Sequence, residues 1–352
     1  MSNLMVDYNR SNDIVLYNDL DDDYFASIVN LSMGSNKIIP AISSCRINES
    51  NVNYEKCVLD ILLKDRTTNR NIIWATNDYI YLKEDYKAEC EISIPSITGI
   101  IQSRIFKGKS EQTHRIRDKA EVFTPSWICN EQNNLIDNLW FGYKDVFNVQ
   151  QNKSWITNTR KISFPIDKTW EDYVDARRME ITCGEAPYLV SRYDAVTGKS
   201  INVEERIGLL DRKLRVVNEN TDGFKDWFKW VQRAYQSTYG YEYQGDSLFI
   251  ARKNLLYTFV DNLKYKFDRE PDISELKVIA SIISWNIWQM DGITYTIPLS
   301  GTHEWSAQLT IFDFIDDKPG KLRRRTFCKI KDWRSKKIME YVTLLKGERN
   351  GA

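Results

Sequence analysis

From Ala120 onward the sequence switches repeatedly between short strand-like runs and longer runs of helical period. Thr124-Pro125 precedes a stretch carrying Trp127, Ile128, Leu135 and Ile136, and a proline suits a first helical turn, where its missing N–H costs nothing. Met179-Glu180-Ile181-Thr182 reads as a strand end running into a Cys183-Gly184 turn. Residues 224–237 have a helical apolar period, Tyr239 to Tyr243 read as a strand, and a helix follows from Asp246 through Leu256. Leu276 to Trp288 is apolar and fits a helix or a helix followed by a strand. Strands that alternate with helices return to a parallel sheet, so the fold class expected is α/β.

The first hundred residues differ. Val58 to Leu63 and Asn71 to Ala75 read as strands around the polar turn Arg66 to Arg70, with Glu91 to Ile94 as a further short run. This predicts an N-terminal α+β module over 1–100 and a main domain over 101–352. Roughly fifty residues separate the Gly184 turn from Glu242, well over the span of a simple βαβ unit. Residues 190–222 therefore read as an insertion, whose Arg192, Asp194, Arg206, Asp211, Arg212 and Lys213 form a solvated face or touch phosphates.

Composition narrows the function classes. Formal net charge is zero, so any nucleic-acid surface must be a local patch. Charge is indeed uneven, with an acidic run at Asp19 to Asp23 and a basic one from Lys318 to Lys337. Six cysteines without C-x-x-C spacing and only two histidines argue against a zinc site and suit a reducing cytoplasm. Neither a signal peptide nor a membrane-spanning run is expected, and no metal is implied.

Four stretches, in this order, carry chemistry. Phe123-Thr124-Pro125 offers a hydroxyl and helix N–H groups to a carboxylate, or simply caps a helix. Glu180, Thr182, Cys183 and Gly184 place an acid and a small-residue turn at a strand end, where a backbone can approach a ligand closely. Tyr239-Gly240-Tyr241-Glu242, followed by Ala251-Arg252-Lys253-Asn254-Leu255, puts a second acid at a strand tip. Asn286-Ile287-Trp288-Gln289-Met290-Asp291 ends in a third, with Trp288 and Met290 available to a ring or to the core.

Together these resemble the cofactor motifs of adenine-N6 DNA methyltransferases associated with restriction–modification systems. The resemblance implies a Rossmann-like methyltransferase sheet that binds S-adenosylmethionine. Glu180 would hold its amino end, Glu242 its ribose and Asp291 its adenine, with Phe123, Thr124 and Pro125 near the methionine end. It implies DNA as acceptor and a companion restriction–modification subunit as a partner. The family's Asn/Asp-Pro-Pro-aromatic turn is missing, and the acid–aromatic pair Asp332-Trp333 is the nearest substitute for the catalytic position. Arg323, Arg324, Arg325 and Lys329 are expected to meet phosphates, or else to form a solvated basic hairpin. A non-catalytic nucleic-acid-binding subunit and a methyltransferase acting on RNA or another amine are the rival readings.

Overall fold

The computed structural model describes residues 14–16, 52–97, 100–119, 124–301 and 325–347. Among them the strands are β1 (Ile14–Leu16), β2 (Asn148–Gln151), β3 (Ser154–Thr157), β4 (Arg178–Glu180), β5 (Thr238–Glu242), β6 (Ile287–Gln289), β7 (Lys329–Asp332) and β8 (Lys337–Glu340). The α-helices are α1 (Val52–Leu63), α2 (Ile94–Ile97), α3 (Lys109–Lys119), α4 (Ser126–Phe141), α5 (Trp170–Asp175), α6 (Leu209–Asn220), α7 (Phe224–Gln236), α8 (Gly245–Phe267), α9 (Ile273–Asn286) and α10 (Val342–Gly347).

Four strands make one parallel sheet in the order β1-β4-β5-β6, so the chain is mixed α/β. Side chains alternate across it, as a pleated strand requires. Met179, Tyr239, Tyr241, Trp288 and Met290 point to one face, where Cys328, Ile330, Met339 and Tyr341 cover them. Ile287 points to the other and joins the main core with α6, α7, α8 and α9. Alternation therefore puts Glu180, Glu242 and Gln289 on the helix side, all at the carboxyl ends of their strands. Gly240 sits where β4 and β5 crowd together: a Cβ there would lie 3.3 Å from the Glu180 carbonyl and 3.4 Å from the Cys183 sulfur.

Most of the predicted elements in the second half are present. The apolar run at Leu276 to Trp288 is a helix and then a strand, and α9 starts at a capping box of Asp272 and Glu275. The crossover from β4 to β5 is not a solvated insertion. Leu209, Leu210, Leu214 and Val217 of α6 are buried, and so are its charged residues Asp211, Arg212 and Lys213. Arg212 donates to Asp137 at 2.6 Å and to Asn130 and Asn134 at 2.8 Å. Lys213 donates to the carbonyls of Ala176 and Ser237, which closes the amino ends of β4 and β5. Arg192 and Arg206 share Asp261, each at 2.7 Å.

The N-terminal region departs further from expectation. Val58 to Leu63 is the end of helix α1, not a strand. Val58 and Leu62, one turn apart, face the same core as Leu263 and Ile283, and a six-residue apolar run cannot by itself distinguish the two periods. Asn71 to Trp74 pairs only through isolated bridges, Lys64 with Asn71 and Ile73 with Glu91, and Ala75 turns left-handed, while Ile94 opens α2. The Gln289 amide accepts from the Ile73 N–H at 2.9 Å and donates to its carbonyl at 2.8 Å, as a neighbouring peptide would. At Gly245 a Cβ would sit 2.0 Å from the Ile73 carbonyl oxygen, so only glycine allows this approach. With β1 also in the sheet, residue 100 marks no boundary in the hydrophobic core.

Candidate cofactor site at the carboxyl ends of the parallel strands

Glu180 is 1% exposed, and its Oε2 has no hydrogen-bond partner among the described residues. Its Oε1 accepts from the Tyr188 N–H at 3.4 Å. Burial, reinforced by the negative charge of Glu242, pushes this carboxyl well above the usual carboxylate range; N–H groups of Tyr188 and Leu189 only partly oppose it. Glu242 accepts the Gly184 N–H at 2.8 Å and the Gln244 N–H at 3.1 Å, which ties the tip of β5 to the turn after β4. Asp291 follows directly on Met290, whose N–H donates to the Glu242 carbonyl at 3.0 Å. Its Oδ1 accepts the N–H groups of Ile293 at 2.8 Å and Thr294 at 3.2 Å.

The turn after β4 is strained. Thr182, Gly184 and Ala186 have φ of 46°, 52° and 66°. Left-handed backbone at a β-branched threonine is a true outlier, and such strain concentrates where structure serves a ligand. The surroundings hold it in place. The Cys183 N–H donates to the Tyr241 carbonyl at 2.8 Å, and Asn254 donates to the Glu185 carbonyl at 3.0 Å. The Glu185 carboxylate accepts from Ser103 at 2.5 Å, the Arg104 N–H at 2.7 Å and Tyr193 at 2.7 Å. On Gly184, by contrast, the space a Cβ would take is open, with nothing within 4 Å.

The run from Ala251 to Leu255 divides its labour. Asn254 braces the turn, while Arg252 is a wholly buried structural clip. Arg252 donates to the carbonyls of Leu62, Lys64, Ile287 and Ser284, and burial pulls its pKa down to about 9. Its role in joining α1 to β6 has no local signal in the sequence.

Thr124 is buried, and Pro125 stands at the N-cap of α4. The Tyr188 hydroxyl lies against Thr124 and Cys129, and Cys129 lies in the field of Glu180, so this loop borders the first acid. The Ser126 N–H, however, is already taken: Asp194 accepts it at 2.8 Å. Burial opposes that carboxylate, but bonds from Ser126 and Thr197 outweigh it and hold Asp194 below its usual range. Thr124, Glu180, Thr182, Cys183, Gly184, Glu242 and Asp291 are thus gathered at one end of the sheet.

Asp332 and Trp333 are not among them, which corrects their placement beside the methyl group. Trp333 donates to Asn286 at 2.7 Å, and Asn286 donates to the carbonyls of Tyr235 and Thr238, at the start of β5. Asp332 lies 3.7 Å from Arg177, just before β4, and accepts from Ser335 at 2.7 Å. Both residues stand at the amino ends, because β7 runs over the sheet towards the starts of the parallel strands. Arg325 packs on Gly301, and the Lys329 N–H donates to Thr67 at 2.9 Å with its side chain exposed. Phe123, Arg323 and Arg324 lie outside the described residues, as does the acidic run at Asp19 to Asp23.

An open cavity of about 560 Å³ lies elsewhere, on α5 and α7, lined by residues that include Asp175, Trp230 and Arg233. Among the described residues no helix is long and apolar enough to cross a membrane, and no group of His, Cys, Asp and Glu could hold a metal ion. The chain matches no protein-family model, no curated protein and no solved structure.

Proposed function

We propose that this protein binds S-adenosylmethionine on a Rossmann-like methyltransferase sheet and transfers its methyl group to an amino group of DNA. The observation that carries the proposal is the row of three acids at the carboxyl ends of β4, β5 and β6, where open α/β sheets bind nucleotides. The buried, unpartnered Oε2 of Glu180 suits an ammonium group, which would supply its missing donor and offset the burial of its charge. Glu242 would take the ribose hydroxyls and Asp291 the adenine amino group. The open space on Gly184 admits a ligand against the backbone. When bound, the cofactor supplies an electrophilic methyl group on a sulfonium centre. The adenine acceptor and a companion restriction–modification subunit are inferred from the sequence resemblance, and the cytoplasmic setting from the unpaired spacing of the cysteines.

Calorimetric titration with S-adenosylmethionine and with S-adenosylhomocysteine tests the cofactor reading. Saturable binding of either supports it; no heat of binding at low and moderate salt removes it. A second reading, a non-catalytic nucleic-acid-binding subunit that keeps the cofactor fold, is favoured by one observation. The acid–aromatic pair Asp332-Trp333 stands at the opposite end of the sheet from the three acids. Methylation of a DNA library by the cofactor-loaded protein separates the two.

A further inference from the structure

At the amino ends of the strands, cations and indoles alternate along the surface. The Arg66 guanidinium lies 5.8 Å from the Trp285 ring centre, and its Nε donates to Ser284 at 2.8 Å. The Lys331 ammonium lies 6.0 Å from the Trp285 ring and 4.0 Å from that of Trp333. Trp333 is in turn fixed by its bond to Asn286. All four residues are partly exposed; Trp333 leans on the main core with part of its ring and reaches the surface with the rest.

Charge around them is one-sided. Residues 325–340 hold six basic and two acidic side chains; Lys329, Lys336 and Lys337 are exposed, while Arg334, also exposed, pairs with Asp175 at 2.7 Å. Of the two acids, Asp332 meets Ser335 and Arg177, and the exposed Glu340 stands opposite Lys329 in the β7–β8 register.

We propose that the Arg66–Trp285–Lys331–Trp333 surface docks single-stranded nucleic acid, with bases on the indoles and phosphates on the cations. Flat aromatic faces set among cations are how proteins track an unpaired strand, because every base has a face to stack while the backbone needs only positive charge. A duplex would engage the cations alone. The surface stands about 15 Å along the strands from the three acids, at roughly 3.3 Å per residue. It therefore anchors a strand and does not present a base to the cofactor. The inference takes nucleic acid as the class of partner from the proposed function, and needs neither the cofactor nor methyl transfer.

The test is fluorescence anisotropy of a labelled thymidine oligonucleotide with the full chain, without cofactor, together with quenching of tryptophan emission. Saturable binding with quenching is expected, and its logarithm should fall with log salt by about 0.7 per phosphate contact. Lys331→Gln should lower that slope by about one contact and weaken binding. Trp285→Leu should weaken binding at least about fivefold, the lower end of the range for one stacked base. Trp333→Ala carries a risk to folding, since it also removes the bond to Asn286, so Lys331→Gln and Trp285→Leu decide. Binding without quenching, unchanged affinity in both variants, or equal affinity for a duplex would overturn the proposal, as would equal competition by poly-glutamate. Cofactor titration of the same variants keeps the two hypotheses apart, because the docking surface can fail while cofactor binding persists, and the reverse.

Discussion

The two ends of the parallel sheet are built on opposite principles. At the carboxyl ends, Glu180, Glu242 and Asp246 are buried, and Glu242 and Asp246 have their bonds met by the protein. At the amino ends, Lys331 and Arg66 lie half-exposed over indoles. A buried carboxylate is strongly position-dependent, because its cost is set by the groups facing it; an exposed cation is screened and exchangeable. Precision therefore belongs to the carboxyl end and to the buried Lys213 that closes the amino ends, and adaptable attraction only to the surface above the latter.

The largest expected effect tests whether the carboxyl end is held by charge. Asp246 receives Arg115 at 2.9 Å and Lys107 at 3.2 Å, all three buried. Burial opposes its ionisation, but the two cations outweigh that and hold it well below the usual carboxylate range. Asp246→Ala should cost about 3–5 kcal/mol by leaving buried cations unpaired, measured by urea denaturation. Its stabilising contribution is present above the unfolded pKa and disappears as pH falls through the folded one. A loss below 1 kcal/mol would place the charge balance elsewhere.

Glu180 should behave in the opposite sense. Its folded pKa is raised, so without ligand the native state keeps a proton that the unfolded chain releases, and its stability contribution falls as pH rises from the unfolded value. Glu180→Gln should raise the melting temperature of the free protein near neutral pH and weaken cofactor binding by about 1.5–3 kcal/mol, the worth of a bond to a charged group. In the wild type, binding an ammonium needs the ionised form. Affinity should rise with pH above the ordinary carboxylate range, with proton release seen as a buffer-dependent calorimetric enthalpy. PH-independent affinity would show that Glu180 does not meet the cofactor's amino group.

Glu242→Ala should weaken cofactor binding by about 1–3 kcal/mol, through lost ribose contacts and through a turn released from its Gly184 bond. The smallest effect sharpens the contrast between the ends. Asp332→Ala should change cofactor affinity and methylation by less than a factor of about two and stability by no more than ~1 kcal/mol, since its partners are local and exposed. Abolished methylation would return Asp332 to the reacting base.

The sequence made the carboxyl end legible because its signals are local. An acid placed where a strand pattern stops can be read within ten residues, and β4, β5 and β6 each end beside one. The charges between 190 and 222 were not legible, because their partners are distant: Arg212 meets Asp137, and Arg192 and Arg206 meet Asp261. Without those partners a charge-rich run reads as a solvated face. Asp332 was misplaced for another reason. Its assignment rested on position relative to a missing family motif, whereas β7 pairs with β8 in an antiparallel hairpin laid across the sheet. Helix α1 was lost to the ambiguity of a short apolar run.

The amide of Gln289 that grips Ile73 reaches across 216 positions of sequence, and β1 reaches from Ile14 to Arg178 of β4. Closing such loops costs only slightly more than closing shorter ones, since the entropy grows with the logarithm of length, but contacts so distant form late. On the ribosome the order is stricter. Ile73 is synthesised long before Gln289 exists, an interval on the order of ten seconds to a minute at usual elongation rates. During it Trp74 and Leu62, both wholly buried at the end, lack the surfaces that β6 and α9 will provide. The segment from Leu62 to Trp74 thus completes its packing only after the far end of the chain has been made, a dependence marked by the position of one glutamine.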